Sequence, residues 1–230
     1  YYTLDIHNGL IRFYSLNSEI GACDNTQLNW LTNDFSNYTN TTIEPNWKIV
    51  QHHNPTYAMA NYGLNQDQMN CWIDEFELYG VDLVLESHSH TTKWSWPCKK
   101  NANGSGFQKD TSNGIVYIGE GQWGAPHRDL DYTGNDKKSW IRDQGVFDGF
   151  FFIRTSFDTI QINNVKFDNL SAISTLSDDQ LGSSLPPGTT NWSPSNGNTI
   201  YITREHTNLI EYNKSLTKIY PNPSKSLVKF

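Results

Sequence analysis

Four of the chain's seven histidines fall in two clusters. His52 and His53 follow the run Trp47-Lys48-Ile49-Val50, and His88 and His90 close the string Val81-Asp82-Leu83-Val84-Leu85-Glu86-Ser87-His88-Ser89-His90. Imidazole exchanges protons near neutral pH, and it ligates Zn, Fe, Mn, Ni or Cu more readily than Ca or Mg. Histidines two residues apart in extended backbone leave on the same face, a spacing that suits two imidazoles reaching adjacent metal ions. A single His-x-His on a surface is commonplace. Convergence of the two clusters would make a metal site competitive with that bland reading.

Segment 47–90 supplies the means of convergence. It reads as strand, loop, helix, glycine, strand, loop. From about Gln66 to Tyr79 the apolar residues Met69, Trp72, Ile73, Phe76 and Tyr79 recur on one helical face, and Gly80 follows as a C-cap. A helical crossover makes the flanking strands parallel in one sheet, so both strand ends open on the same edge. In open α/β sheets that edge binds ligands.

The other elements are shorter. Two β-rich runs flank Asn8-Gly9, which predicts a hairpin. Leu28, Leu31 and Phe35 predict a helix over 26–36 with Thr26 as N-cap. Ile115-Val116-Tyr117-Ile118 reads as a strand leading into a turn through Gly119, Gly121 and Gly124. Residues 145–168 read as two or three antiparallel strands. Residues 177–198 are a Pro/Gly/Ser/Asn linker, and 199–230 resume strand-like pieces.

Composition narrows the class. Of 230 residues, 36% are hydrophobic, 13% aromatic and 18% charged, with mean hydropathy −0.63. The polar balance comes from 25 Asn, 20 Ser and 20 Thr. Such a chain is folded and loop-rich rather than disordered. A net charge of −7 disfavours non-specific nucleic-acid binding. No apolar run is long enough for a transmembrane helix, and residue 1 opens straight into strand-like sequence, with no basic n-region and apolar h-region of a signal peptide in these residues. Three cysteines, Cys23, Cys71 and Cys98, allow one disulfide and no C-x-x-C zinc site. Six Asn-x-Ser/Thr sequons are weak evidence for glycosylation.

The segment WKIVQHHNPTY resembles the strand and loop of calcineurin-like metallophosphoesterases, in which a metal-ligating His precedes a Pro by two residues. His53 matches that position and His52 is its neighbour. GVDLVLESHSHTTKWSWPC resembles the family's Gly-His-x-His element, especially in purple acid phosphatases, and GIVYIGEGQWGAP resembles the strand and turn that follow. The opening YYTLDIHNGLIRFYSLNSE resembles the stretch after the family's Asn-His element, with QLNWL as the next helix.

The resemblance covers about residues 1–168 and implies the C-terminal part of a layered αββα metallophosphoesterase sandwich. Residues 169–200 would be linker and loop, and 201–230 a β-rich tail or the start of a sorting domain. It implies two transition metal ions, Fe, Zn or Mn, with His53 and His88 on one and His90 on the other. It further implies a metal-activated hydroxide attacking a phosphate ester, catalytic roles for His52 and His90, and substrate contacts from His127 and Arg128. The family's other ligands lie in an upstream Asp-x-His, a Gly-Asp and a Gly-Asn-His, and the last two occur nowhere in this chain. Ser87 stands where the family has Gly, and Glu86 before it reads as a solvated loop residue, with a carboxylate supporting a metal-ligating histidine as the alternative. An inactive member of the fold, acting as a surface, binding or assembly component, is the alternative. A carbohydrate-binding surface built on Trp and Tyr is a third reading.

Lys218-Ile219-Tyr220-Pro221-Asn222-Pro223-Ser224 is similar to the start of the C-terminal sorting domain of the type IX secretion system. That similarity implies contact with outer-membrane export machinery and an extracellular or cell-surface location.

Overall fold

The computed structural model describes residues 1–39, 46–131, 137–177, 180 and 184–204. His206 and the segment Lys218–Ser224 lie outside the described residues. In chain order the elements begin with β1 (Tyr2–Ile6), β2 (Ile11–Ser15), α1 (Asn25–Thr39), β3 (Trp47–Gln51), α2 (Gln66–Leu78) and β4 (Leu83–Glu86). They continue with β5 (Thr92–Ser95), β6 (Cys98–Lys100), β7 (Phe107–Lys109), β8 (Val116–Gly119), α3 (Lys137–Trp140) and β9 (Ile141–Gly145). The last four are β10 (Gly149–Thr155), β11 (Thr159–Phe167), β12 (Thr189–Asn191) and β13 (Ile200–Thr203).

Seven strands form one sheet in the order β1-β2-β3-β4-β8-β5-β9. Its centre, β2 through β8, is parallel, with Ile49 opposite Leu83 and Leu83 opposite Val116. A second, antiparallel sheet is built on β11, which pairs with β10, β12 and β13.

Strand alternation divides the core in two. Ile49, Leu83, Val116 and Ile118 point to the second sheet and pack with Ile160, Ile162 and Ile200. Val50, Val84 and Tyr117, one residue out of phase, pack against α1 and α2. The layers are therefore helix, sheet, sheet, an α/β sandwich as the resemblance implied. Among the described residues no helix covers the outer face of the second sheet.

Helix α2 matches the predicted periodicity. Met69, Trp72, Ile73 and Phe76 are wholly buried, each contributing about 1.5–3 kcal/mol of transfer free energy. Asn65 caps its start by accepting from the Gln68 N–H, and Gly80 follows its end at φ 65°. Helix α1 starts earlier than predicted. Its cap is Asp24, whose carboxylate accepts from the Gln27 N–H, because a carboxylate is a better N-cap acceptor here than Thr26. Its disulfide Cys23–Cys71 ties the start of α1 to α2, and Cys98 is a buried free thiol. The linker reading of 177–198 needs correction, because Thr189–Asn191 pairs with β11.

Candidate metal centre

The C-terminal ends of β3, β4 and β8 lie side by side, and each is followed by a segment rich in polar side chains. The first carries His52 and His53, the second His88 and His90, the third Glu120 through Arg128. Backbone pairing runs on to His53, whose carbonyl accepts from the Ser87 N–H at 3.0 Å, and the segments beyond leave the sheet at the edge where open α/β sheets bind ligands.

His53 and His88 meet there. Nε2 of His53 lies 3.1 Å from Nδ1 of His88, and the rings are edge-to-face with centroids 5.1 Å apart. His53 is exposed and His88 half-buried. Burial lowers the His88 pKa, reinforced by the nearby His53, Arg128 and His90. Glu19 is the carboxylate that opposes this. It lies near because its side chain accepts from Asn54, and Ser18 accepts from the Asn54 N–H.

His90 does not share a face with His88 through extended backbone. Both residues take left-handed φ, 70° for His88 and 55° for His90, at a cost of about 1–2 kcal/mol each. Such conformations gather at sites where the surroundings over-determine them. The His90 ring has Nδ1 2.8 Å from the Pro126 carbonyl, which places the proton on Nδ1 and leaves Nε2 as the lone-pair donor. Ser87 does not take a left-handed φ, so its backbone conformation needs no glycine.

The loop after β8 braces this pair. A Cβ on Gly121 would sit 3.1 Å from the His88 N, Pro126 holds His90, and the Arg128 guanidinium donates to the His88 carbonyl at 2.5 Å. Arg128 also stacks 4.9 Å over the Tyr62 ring, whose centroid is 4.8 Å from that of His88. Arg128 has no carboxylate partner among the described residues and keeps further N–H groups to offer an anion. His127 turns elsewhere, with Nε2 3.2 Å from Asp148.

His52 lies beneath the site rather than in it. Its ring is fully buried, packs 5.2 Å from Trp72 and has Nδ1 2.8 Å from the Asn54 carbonyl. Burial lowers its pKa. Glu86 is not a solvated loop residue. It is buried, accepts from the Thr56 N–H at 2.8 Å and pairs with Lys93.

Two nitrogens bound to one tetrahedral ion at ordinary Zn–N lengths stand about 3.3 Å apart. The His53–His88 separation of 3.1 Å is close to that bite. The donor set is nevertheless incomplete. Among the described residues no group of three or more His, Cys, Asp or Glu side chains is placed to hold a metal ion. The residues present fit part of a metal centre and not a whole one.

Sequence reasoning did not single out Tyr62, Glu19 or Lys93. Their positions come from non-local packing, and no local motif marks them.

No family model matches the chain, and no curated protein matches it. Solved structures do. The structure titled purple acid phosphatase PPD1 from yellow lupin superposes with TM-score 0.63 at 15% identity, covering 89% of this chain and 33% of that one. PhoD gives 0.53 at 10% identity over 88% and 42%. GAP50, titled the anchor in the inner membrane complex of Plasmodium, gives 0.50 at 13% identity over 68% and 45%. The chain thus spans a third to less than half of the length of these proteins. At such identities the likeness is one of fold, an α/β sandwich similar to those of purple acid phosphatase and PhoD.

Proposed function

We propose that this chain forms part of a secreted phosphoesterase that hydrolyses phosphate esters. The observation that carries the reading is the meeting of His53 and His88 at 3.1 Å, from the ends of two adjacent parallel strands. The fold likeness to purple acid phosphatase and PhoD supports it. In this reading His53 and His88 hold one metal ion and His90 a second, each completed by ligands from chain beyond these residues. The metal ions supply Lewis acidity and an activated water when bound.

The chain's own residues do the rest. Pro126 fixes the His90 tautomer. Arg128 directs its remaining donors to a phosphoryl oxygen, and Tyr62 holds the guanidinium flat. His52, wholly buried, supports the strand end beneath His53. The Cys23–Cys71 disulfide suits an oxidising compartment, in keeping with an extracellular or surface location. No helix among the described residues is long and apolar enough to cross a membrane.

A second reading has its own observation. The incomplete donor set favours an inactive member of the fold that serves in binding or assembly, and one fold neighbour is titled an anchor. Elemental analysis of the full native polypeptide, with phosphate-ester hydrolysis on the same sample, separates the two. About two transition-metal ions per chain, with activity lost in His53→Ala and His88→Ala, supports the phosphoesterase. Absence of both metal and activity supports the second reading.

A further inference from the structure

Helix α1 carries an asparagine at every fourth position: Asn25, Asn29, Asn33 and Asn37. At 3.6 residues per turn they stand in one row along the helix, about 18 Å from first to last. Thr26, Trp30 and Asp34 form the neighbouring row. A hollow of about 620 Å³ lies over the two rows and is lined by these residues. Leu31 and Phe35, on the opposite side of the helix, are wholly buried, so the hollow opens on the outer surface. None of its lining residues takes part in the histidine cluster.

Folding does not call for this row. Asn is a poor helix former, because its side chain competes with the backbone for hydrogen bonds, and an interior Asn costs up to about 0.7 kcal/mol relative to Ala. The four are exposed, and their side-chain amides have no hydrogen-bond partner among the described residues. Each amide therefore presents both a donor and an acceptor outward. Trp30 is half-buried, packed on the core and against the Tyr1 ring with centroids 4.7 Å apart. It gives the hollow one fixed aromatic surface.

The lining carries no free charge. Asp34 is its one ionisable residue, and both carboxylate oxygens are engaged. Oδ2 accepts from Arg12 at 2.5 Å, and Oδ1 accepts from Arg12 at 3.2 Å and from Tyr14 at 3.0 Å. A phosphate, a nucleic acid, a cation or a charged peptide would find no counter-charge here. A docked helix or second protein needs a cluster of apolar anchors, and Trp30 is the one apolar residue of the lining. A sugar hydroxyl donates and accepts at once, as an amide does, and the less polar face of a sugar ring can lie on an indole.

We infer that the outer face of α1 binds a neutral oligosaccharide, laid along the helix with its hydroxyls on the asparagine row and one ring against Trp30. The inference is independent of the phosphoesterase reading. Calorimetry of the full native polypeptide with hexasaccharides of glucose, mannose, xylose and N-acetylglucosamine tests it, in wild type and in Asn29→Ala with Asn33→Ala. Ala is the better helix former, so this double variant keeps α1 and should melt no lower than wild type. The expected result is that wild type binds at least one hexasaccharide, equally at low and high salt. The double variant should bind it about fivefold more weakly or worse, the loss of two neutral hydrogen bonds.

Failure of wild type to bind any of the four sugars overturns the inference. So does binding that the double variant keeps in full, which places the sugar elsewhere, and binding that weakens with salt, which requires a charge the hollow lacks. Sedimentation of wild type as a dimer and of the double variant as a monomer would show the face covered by a second copy, and overturns it too. None of these results bears on hydrolysis of phosphate esters.

Discussion

The Lys93 ammonium lies 2.5 Å from a carboxylate oxygen of Glu86, and the two side chains are 1% and 0% exposed. Glu120, also buried, approaches the same ammonium at 2.7 Å. The Tyr57 carbonyl accepts from Lys93 at 2.8 Å, and the Thr56 and Met59 N–H groups donate to Glu86 and Glu120. One buried network thus joins the loop after His53, the strand end before His88 and the strand end before Gly121. Burial alone would push the Lys93 pKa down, and the two carboxylates outweigh it and hold it raised.

Removing the ammonium leaves two buried carboxylates with no cation. Lys93→Met should lower stability by about 3–5 kcal/mol, the usual result of breaking a buried pair. The triple variant Glu86→Gln, Lys93→Met, Glu120→Gln should recover most of that, because nothing charged remains unpaired. Denaturant unfolding of the three proteins checks both statements. A triple variant no more stable than Lys93→Met would contradict the charge argument.

Two carboxylates share one ammonium, and burial raises the Glu120 pKa above that of an exposed Glu. From about pH 4.3 upward the unfolded chain's Glu ionises, while folded Glu120 still holds its proton. The folded state then binds more protons than the unfolded state, so this group's contribution is full below that pH and is lost as pH rises through the folded pKa. Stability measured from pH 4 to 7 should therefore decline less with rising pH in Glu120→Gln than in wild type. Parallel curves would show that Glu120 titrates normally.

A Cβ at position 119 would stand 2.1 Å from the Glu86 carbonyl oxygen, and Gly119 has φ 147°. The β4–β8 contact would have to open to admit it. Gly119→Ala should cost at least the roughly 1–3 kcal/mol of backbone strain. It should also shift the His88 imidazole resonances, because Glu86 lies two residues before His88. Thermal melting and imidazole NMR spectra test the two effects separately.

The disulfide Cys23–Cys71 closes a sequence separation of 48 residues. The chain-entropy estimate for a loop of that size is about 4 kcal/mol. Reduction, or Cys23→Ser with Cys71→Ser, should destabilise the protein by about 2–4 kcal/mol. A melting temperature unmoved by reductant would refute this.

Among the described residues, Arg128 offers N–H groups beyond the one it gives to the His88 carbonyl. Arg128→Ala should weaken inorganic phosphate binding about tenfold or more, the worth of a charge-assisted hydrogen bond, while Arg128→Lys should recover only part of it because the planar stack on Tyr62 is lost. Calorimetric titration with phosphate, repeated at two salt concentrations, measures both.

The amino-acid sequence determined the local elements and the edge on which the histidines gather. The period of Met69, Trp72, Ile73 and Phe76 requires a helix with one buried face, and a helix between two apolar strands requires parallel pairing. Both are near-neighbour rules, so His53 and His88 could be placed on one edge from residue order alone. The ring contact between them, the left-handed backbone at His88 and His90, and the partners of Glu86 are different in kind. Glu86 reads as a loop residue because its cation, Lys93, sits on a strand that pairs with β8 and β9 rather than with β4. Which cysteine remains free, and that Trp123 stands in solvent on Phe150 and Phe167, likewise depend on segments far apart in the chain. Periodicity reports what a residue needs from its neighbours in sequence. Charge pairing, ring stacking and left-handed turns are set by what the fold brings from elsewhere, and only the tertiary structure decides them.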